Sequence, residues 1–301
     1  MVYHEVRKRK NILYNYIVHN IRHNNKWKKR SKFIGKGRLS KDKIEKEIKK
    51  FKSKMYKYIS EKNYERIEQI KNRFHNYLKK GGKSAENNFK DWFFTELTYN
   101  SNAIEGNTLS LKETSMVINE NIVPKNANLR DVYEARNHKN ALEFLRRYKG
   151  DLNGKLILKI HSFILKDIDD SNAGKYRKVN VYIHGEPDVK FPNPNEVPKL
   201  MEEFIDFYKK NKNKYHPLES AAIISMKFVS IHPFVDGNGR VSRLIMNFIM
   251  KKYNHPEINV YFKDRQNYLR SVKKANYEDY ELIIDFLIKT IEKNYKFLEN
   301  E

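Results

Sequence analysis

The sequence contains no cysteine among its 301 residues, which excludes disulfides and thiolate metal sites. It also lacks any run near the roughly 20 consecutive apolar residues that a membrane helix needs. Nothing after Met1 resembles the apolar core of a signal peptide. These absences predict a cytoplasmic protein with no membrane partner. Hydrophobic residues make up 39% of the chain, which is enough for a packed core.

Acidic residues are scarce in the first 85 positions. This region holds 27 Lys and Arg residues against 7 Asp and Glu residues, so it carries most of the formal net charge of +24. Residues 86–301 hold 34 against 30 and are close to neutral. Because Gly81 and Gly82 offer a flexible break at the change, we expect a basic N-terminal region over residues 1–85 and a second domain over residues 86–301.

The basic region has two patterns. Strand-forming residues in 13–18 and 27–34, with a turn at 23–26 between them, predict a β-hairpin within residues 11–38. From Ser40 onward, apolar residues recur every three or four positions, which predicts helices. The region is therefore expected to be a small α+β unit.

Residues 86–301 are predicted to be mainly α-helical. Helices are expected at about 87–104, 111–119, 128–148, 153–167, 195–211, 216–231, 240–252, 264–275 and 277–294. The exception is a short alternating stretch within residues 179–191, which predicts a single β-hairpin. A lone hairpin is poorly stabilised by itself, so we expect it to act as a docking element or a lid.

The most informative segment is HPFVDGNGRVSR, residues 232–243. Apolar helices precede and follow it, so the loop between them should be held rigidly. Gly237 and Gly239 allow the backbone to come close to a ligand. The first amides of the following helix favour an anion there, and Arg240 and Arg243 can donate paired hydrogen bonds to phosphate oxygens.

Two further residues of this loop suit catalysis. Asp236 offers a hard oxygen ligand of the kind that Mg²⁺ prefers. His232 can take a proton from an attacking hydroxyl near neutral pH. Together the loop residues predict a site that binds a polyphosphate and activates a nucleophile.

This segment resembles the signature of the Fic (filamentation induced by cAMP) family, His-x-Phe-x-Asp/Glu-Gly-Asn-Gly-Arg-x-x-Arg, and every fixed position is present. The resemblance covers roughly residues 90–293 and implies an all-helical Fic-type core with one hairpin flap. It implies ATP and Mg²⁺ as ligands, with His232 as general base and Asp236 as metal ligand. The residues implied to contact the nucleotide are Gly237, Asn238, Gly239, Arg240, Arg243, Tyr268 and Asn276.

The hairpin resembles the family's flap, which holds a target segment by strand addition. Its docking residues would be Val181, Tyr182, Ile183 and Val189. A second resemblance lies at residues 101–107, SNAIEGN, which match an inhibitory motif with Ser101 and Glu105 at its fixed positions. The match implies the class whose inhibitory helix, here about residues 87–105, precedes the Fic core. Glu105 would pair with Arg243 and keep that arginine from the γ-phosphate.

The resemblance implies a protein adenylyltransferase that moves AMP from ATP to a Ser, Thr or Tyr hydroxyl, on another protein or on itself. In some relatives the same glutamate is thought to position water for AMP removal, so both directions are open. Relatives often act as dimers, which makes a homodimer an expected assembly. A Fic-type phosphotransferase is the alternative enzyme, although the intact Gly237 and Gly239 favour AMP transfer.

The basic N-terminal region has two interpretations. Clustered Lys and Arg with Tyr and Trp are typical of a surface that binds nucleic acid or an acidic partner. A solvated helix face in a lysine-rich protein would have the same composition. A nucleic-acid-binding regulator with a nucleotide-sensing site is therefore an alternative of a different class.

Overall fold

The computed structural model describes residues 2–23, 26–53, 57–183 and 189–299. It begins with a three-stranded antiparallel sheet in the order β1-β2-β3, formed by Val2–Arg9, Ile12–His23 and Lys26–Lys36. The predicted hairpin corresponds to β2 and β3. The sequence patterns did not predict β1, whose Val2 lies opposite His19 and whose Arg9 lies opposite Ile12.

In the described part of the chain, ten α-helices follow the sheet. The predicted helices after residue 85 are present, and the protein is mainly α-helical. No helix among the described residues is long and apolar enough to span a bilayer. The helix bounds are α1 Lys41–Ser53, α2 Glu61–Ile104, α3 Leu111–Ser115, α4 Leu129–Arg147, α5 Gly154–Ile164, α6 Val197–Asn211, α7 Pro217–Ile231, α8 Asn238–Lys252, α9 Arg265–Ala275 and α10 Glu281–Asn294.

Helices α7 and α8 form the centre of the core. Both are buried over most of their length, including Ala221, Ile224, Ile245 and Ile249. A helix that is apolar on most faces is stable only when neighbours surround it. The loop that joins α7 to α8 is therefore anchored at both ends in the most rigid part of the molecule.

Helix α2 crosses the predicted domain boundary. Gly82 interrupts its regular geometry with φ of 64° and ψ of −157°, so two helical segments meet there at a kink. A positive φ costs glycine little. Tyr64, Ile67 and Phe74, which precede the kink, share one hydrophobic core with residues of α7, α8 and α10. The boundary near residue 85 stays a prediction.

The predicted hairpin within residues 179–191 differs from the structure. Its turn, residues 184–188, lies outside the described residues, and neither described arm is a β-strand. Val179, Tyr182 and Ile183 are exposed, whereas Val181 and Val189 are half-buried. An isolated pair of strands has no partner against which to bury a face, and this explains the irregular arms.

Candidate active site

The α7–α8 loop has a fixed backbone path. His232 ends α7 in the left-handed region with φ of 50°, and Gly237 begins α8 with φ of 79°. The Asn238 side chain bridges the loop: its Oδ1 accepts from the Phe234 amide at 3.0 Å, and its Nδ2 donates to the Phe234 carbonyl at 2.8 Å. These bonds hold the Asn238 side chain against the loop, and its backbone amide, at the start of α8, is placed to line an anion site.

A buried histidine fixes the middle of the loop. The His161 ring stacks on Phe234 with centroids 3.6 Å apart and an interplanar angle of 3°. Its Nδ1 accepts from the Gly174 amide at 3.0 Å, so in the neutral ring Nε2 carries the proton and donates to the Asp236 carbonyl at 3.1 Å. Phe234 is fully buried, and His161 has a structural role.

His232 lies at the start of the loop, against the base of the predicted flap. Its ring stacks on Phe191 with centroids 3.9 Å apart. Burial lowers the pKa of His232 to about 4. The imidazole is therefore neutral at physiological pH and can accept a proton.

Asp236 points toward two arginines. Its Oδ2 accepts from Arg130 Nη2 at 2.7 Å, and its Oδ1 accepts from Arg240 Nη2 at 3.2 Å and from the Gly237 amide at 2.5 Å. Burial alone would raise the pKa of Asp236, but the positive charges of Arg240 and Arg130 and the hydrogen bond from the Gly237 amide together outweigh it and hold the pKa below its usual value. The carboxylate is ionised and its side chain is 41% exposed, which suits a Mg²⁺ ligand shared with phosphate oxygens.

Arg240 is more enclosed than its predicted phosphate contact implies. It is 1% exposed, and its Nη1 lies 3.0 Å from Glu134 Oε1. Glu134 comes from α4 and also accepts from Asn107 Nδ2 at 2.9 Å. A buried charge needs such a partner. The sequence patterns missed Glu134 and Arg130 because both lie about 100 positions from the loop.

The predicted pair between Glu105 and Arg243 is present. Arg243 Nη2 donates to Glu105 Oε1 at 2.7 Å and to the Ser101 carbonyl at 2.7 Å, while Nε donates to Ser101 Oγ at 3.0 Å. Arg243 is 3% exposed, whereas the Glu105 side chain is 36% exposed. The end of α2 therefore satisfies the donors with which Arg243 could hold a phosphate.

The Glu105 carboxylate lies against the glycine loop itself. A Cβ placed on Gly239 would come within 2.2 Å of Glu105 Oε1 and 3.2 Å of Arg243 Nη1. Gly239 is in the first turn of α8, where backbone amides and the helix dipole attract anions. The carboxylate thus occupies a position that would suit a phosphate oxygen.

The two predicted adenine-pocket residues have different surroundings. Tyr268 is 3% exposed and lies beneath Arg243, whose guanidinium carbon is 6.0 Å from the ring centroid. Asn276 accepts from Ser230 Oγ at 2.9 Å and lines a cavity of about 330 Å³ together with Ser230 and Ile231. This volume is in the range of small-ligand pockets, and the cavity begins next to His232.

Arg177 joins the loop to the base of the flap. Its guanidinium donates to three backbone carbonyls, those of His232 at 2.8 Å, Val179 at 3.1 Å and Pro192 at 2.6 Å. Its own amide donates to the Pro233 carbonyl at 2.9 Å. Arg177 is 2% exposed. Sequence patterns did not single it out, because no motif marks an arginine whose partners are carbonyls.

A second polar cluster lies away from this loop. Glu68, His216 and His255 place one ligand atom each within 4.8 Å of one another. His216 Nδ1 accepts from the Leu218 amide at 3.1 Å, so the proton of the neutral ring is on Nε2, which faces Glu68. A protonated nitrogen cannot bind a metal, and the cluster is instead a polar contact between α2 and the core, with the His216 and His255 Nε2 atoms 3.7 Å and 3.4 Å from Glu68 Oε1.

Comparison with known proteins places this geometry in a family. The Fic/DOC family model matches residues 151–250. Protein adenylyltransferase Fic from Nematostella vectensis is 36% identical over 138 residues, which cover 46% of this chain and 32% of that protein. The Drosophila melanogaster protein of the same name is 34% identical over 146 residues, or 48% and 29%. The chain thus spans about a third of the length of these relatives.

Solved structures extend the similarity beyond the matched segment. A Fic domain containing signaling protein from Bacteroides thetaiotaomicron has a TM-score of 0.71 at 25% identity, over 77% of this chain and 94% of that one. Fic-1 from C. elegans, residues 134–508, has a TM-score of 0.70 at 25% identity, over 79% and 71%. The family model, the relatives and the fold agree: residues 151–250 match a Fic/DOC domain, and the fold around them is similar to that of solved Fic proteins.

Proposed function

We propose that this chain is a protein adenylyltransferase that moves AMP from ATP to a Ser, Thr or Tyr hydroxyl of a protein, and that Glu105 restrains it. The supporting observation is the position of the Glu105 carboxylate, paired with Arg243 at 2.7 Å and set against Gly239. An anion already lies where the amides of α8 and Arg243 would receive a phosphate. The names of the relatives support AMP as the transferred group.

In this proposal each loop residue has one task. The neutral His232 takes the proton of the target hydroxyl as that oxygen attacks the α-phosphorus, the bond from the α-phosphorus to the bridging oxygen breaks, and pyrophosphate leaves. The amides of residues 237–239 stabilise the negative charge that develops on the phosphate, and Arg240 holds Asp236 in place. Mg²⁺, when bound at Asp236, would neutralise phosphate charge. The target polypeptide would lie along the residues that flank Arg177, because these residues fix the path of the chain beside His232.

The test replaces Glu105, the residue that would restrain the site. We expect Glu105→Gly to incorporate label from α-labelled ATP and Mg²⁺ at least tenfold faster than the unaltered chain, since Arg243 is then released to the nucleotide. Glu105→Gln is the matched control, because it keeps the side-chain volume and removes only the charge. It should be activated to an intermediate degree. Equal labelling of the unaltered and Glu105→Gly chains would refute the restraint.

Intact-protein mass spectrometry then identifies the reaction. An adduct of the mass of AMP supports the proposal, whereas a phosphate adduct supports the phosphotransferase alternative. Glu105→Gly/His232→Ala should give no adduct, because the base is missing. Incubating the AMP-modified protein with unaltered chain tests removal, which Glu105 would support by holding water. Homodimer formation, implied by the resemblance, stays a prediction.

A further inference from the structure

The N-terminal sheet has two unlike faces. On one face Lys32 of β3 pairs with Glu47 of α1 at 2.8 Å, and Ile17, which lies opposite Lys32, is fully buried. Directly opposed residues of an antiparallel pair share a face. The face that holds Lys32 and Ile17 therefore packs on α1, and the residues that alternate with them lie on the other face.

That other face carries three aromatic rings in contact. Phe33 of β3 lies opposite Tyr16 of β2, with centroids 5.6 Å apart, and its centroid is 6.1 Å from that of Tyr14. An irregularity in the register adds Ile34 to β3, so that Phe33 and Lys36 lie on the same side. Phe33 is 47% exposed. We call Tyr14, Tyr16 and Phe33 with their neighbouring cations the aromatic face.

Cations surround these rings. The Arg7 guanidinium lies 4.2 Å above the Tyr16 centroid, and Lys36 Nζ lies 5.6 Å from the Tyr14 centroid. Lys29 adds a third charge. Glu5, the acidic residue on this face, is already paired with Arg7 at 2.7 Å and Lys29 at 2.5 Å. The face thus presents planar rings within a positive field, in the region that holds most of the chain's net charge.

We propose that the aromatic face binds single-stranded nucleic acid, with bases stacked on Phe33 and the tyrosines and with phosphates held by Arg7, Lys29 and Lys36. Adjacent rings on a sheet surface can stack on bases only when those bases are unpaired. A duplex would engage the cations alone, and a polyacidic peptide has no aromatic groups to stack on the rings. This surface is independent of the α7–α8 loop and goes beyond the proposed enzyme activity.

The first experiment separates stacking from burial of apolar area. Fluorescence anisotropy of labelled 12-nucleotide oligouridine and oligodeoxyuridine with the full chain gives the affinity, and comparing the two shows whether a 2′-hydroxyl matters. Phe33→Leu keeps an apolar side chain but loses the π face, so we expect about tenfold weaker binding of both oligomers. Phe33→Tyr keeps the ring and should bind as tightly as the unaltered chain. Equal affinities for Phe33→Leu and Phe33→Tyr would overturn the proposal.

The second experiment tests the cations. The plot of log affinity against log salt has a negative slope, and each phosphate contact on a single strand contributes about 0.7 to its magnitude. Arg7→Gln/Lys36→Gln should therefore make this slope shallower by about 1.4. Lys199→Gln/Lys209→Gln is the matched control, because both lysines are exposed on α6 and their loss removes the same charge. The control should leave the slope unchanged.

Further binding measurements identify which class of partner the aromatic face prefers. Duplex of the same length should bind at least tenfold more weakly than either single strand, and polyglutamate should not displace the oligomer. Binding of duplex as tight as single strand, or displacement by polyglutamate, would contradict the proposal. His232→Ala should bind the oligomers like the unaltered chain, so failure of this proposal is distinguishable from failure of the enzymatic one. Thermal unfolding of each variant confirms that it is folded.

Discussion

His232 must be unprotonated to act as a base, and its surroundings achieve this without a substrate. The ring is packed against Phe191 at 3.9 Å, and burial lowers its pKa to about 4. An exposed histidine titrates near 6.5. The low pKa makes His232 a weaker base, but it keeps the ring unprotonated throughout the physiological pH range.

This shift predicts the pH dependence of transfer. A base works in its unprotonated form, which here persists down to about pH 4. We expect the single-turnover rate of Glu105→Gly to stay level from about pH 8 to 5.5 and to fall only as pH approaches the folded-state pKa. The rate is measured as label incorporated from α-labelled ATP over that pH series. A midpoint near 6.5 would show that His232 is not protected from protonation.

At the residue scale, local motifs could be predicted and distant partners could not. The loop residues follow from one short segment whose own chemistry constrains them, and the Glu105–Arg243 pair follows from the resemblance of residues 101–107 to an inhibitory motif. Arg130 and Glu134 act through the fold, because α4 brings them to Asp236 and Arg240. The adenine contact of Tyr268 was predicted from a loose similarity. In the structure the Tyr268 ring lies beneath the Arg243 guanidinium and is not exposed to a nucleotide base.

Loop and flap meet at Arg177. Its guanidinium binds carbonyls on both sides of the flap, at Val179 and Pro192, and the carbonyl of His232. Three carbonyls from two separate segments are thus held at fixed separations. The path of the segment that would hold a target and the position of the base are set by the same side chain.

We predict that Arg177→Ala slows AMP transfer to a protein target by about tenfold to a hundredfold, since small misplacement of reacting groups has effects of this size. Nucleotide affinity, measured by calorimetry in the Glu105→Gly background, should change less than threefold because Arg177 lies outside the glycine loop. Arg177→Lys keeps the charge with fewer donors and should recover part of the rate. A parallel loss of nucleotide affinity would instead indicate a general loss of structure.

At the element scale, periodicity predicted helices better than strands. Helices such as α7 and α8 carry their pattern within 15 residues each. Strand β1 holds Arg7, Lys8 and Arg9, so its composition is that of a basic segment, and it becomes a strand by pairing with β2. The flap arms show the converse, because alternation in sequence gave no strand where no neighbouring sheet was present.

The whole molecule does not divide cleanly by charge. Tyr64, Ile67 and Phe74 of the basic region are buried in the same core as α8 and α10, and Glu68 links α2 to His216 and His255. The change in composition near residue 85 therefore reports surface charge, whereas packing continues across it. Composition alone cannot distinguish these two, since a basic helix can bury one apolar stripe.

Truncation should show the difference. A fragment of residues 39–301 keeps these contacts, and we expect its melting temperature to lie within a few degrees of that of the full chain. A fragment of residues 86–301 loses four buried core side chains, those of Ile59, Tyr64, Ile67 and Phe74. At about 2–5 kcal/mol each, their loss should lower the melting temperature by at least about 10 °C. Scanning calorimetry measures both, and equal melting temperatures would support an independent domain after residue 85.

The last turn of α2 has a consequence for how the restraint ends. Glu105 caps the carboxyl end of the helix, and the turn before it contains no basic residue. An acid at this end is opposed by the helix dipole, so Arg243 supplies the compensating charge from another helix. A ligand that took Arg243 would therefore leave this turn with uncompensated negative charge, and under the proposed restraint we expect the last turn of α2 to loosen on activation. The contact between Glu105 and Arg243 that would restrain the site is the same contact that stabilises the end of α2. Both would be lost when Arg243 binds another anion in place of Glu105.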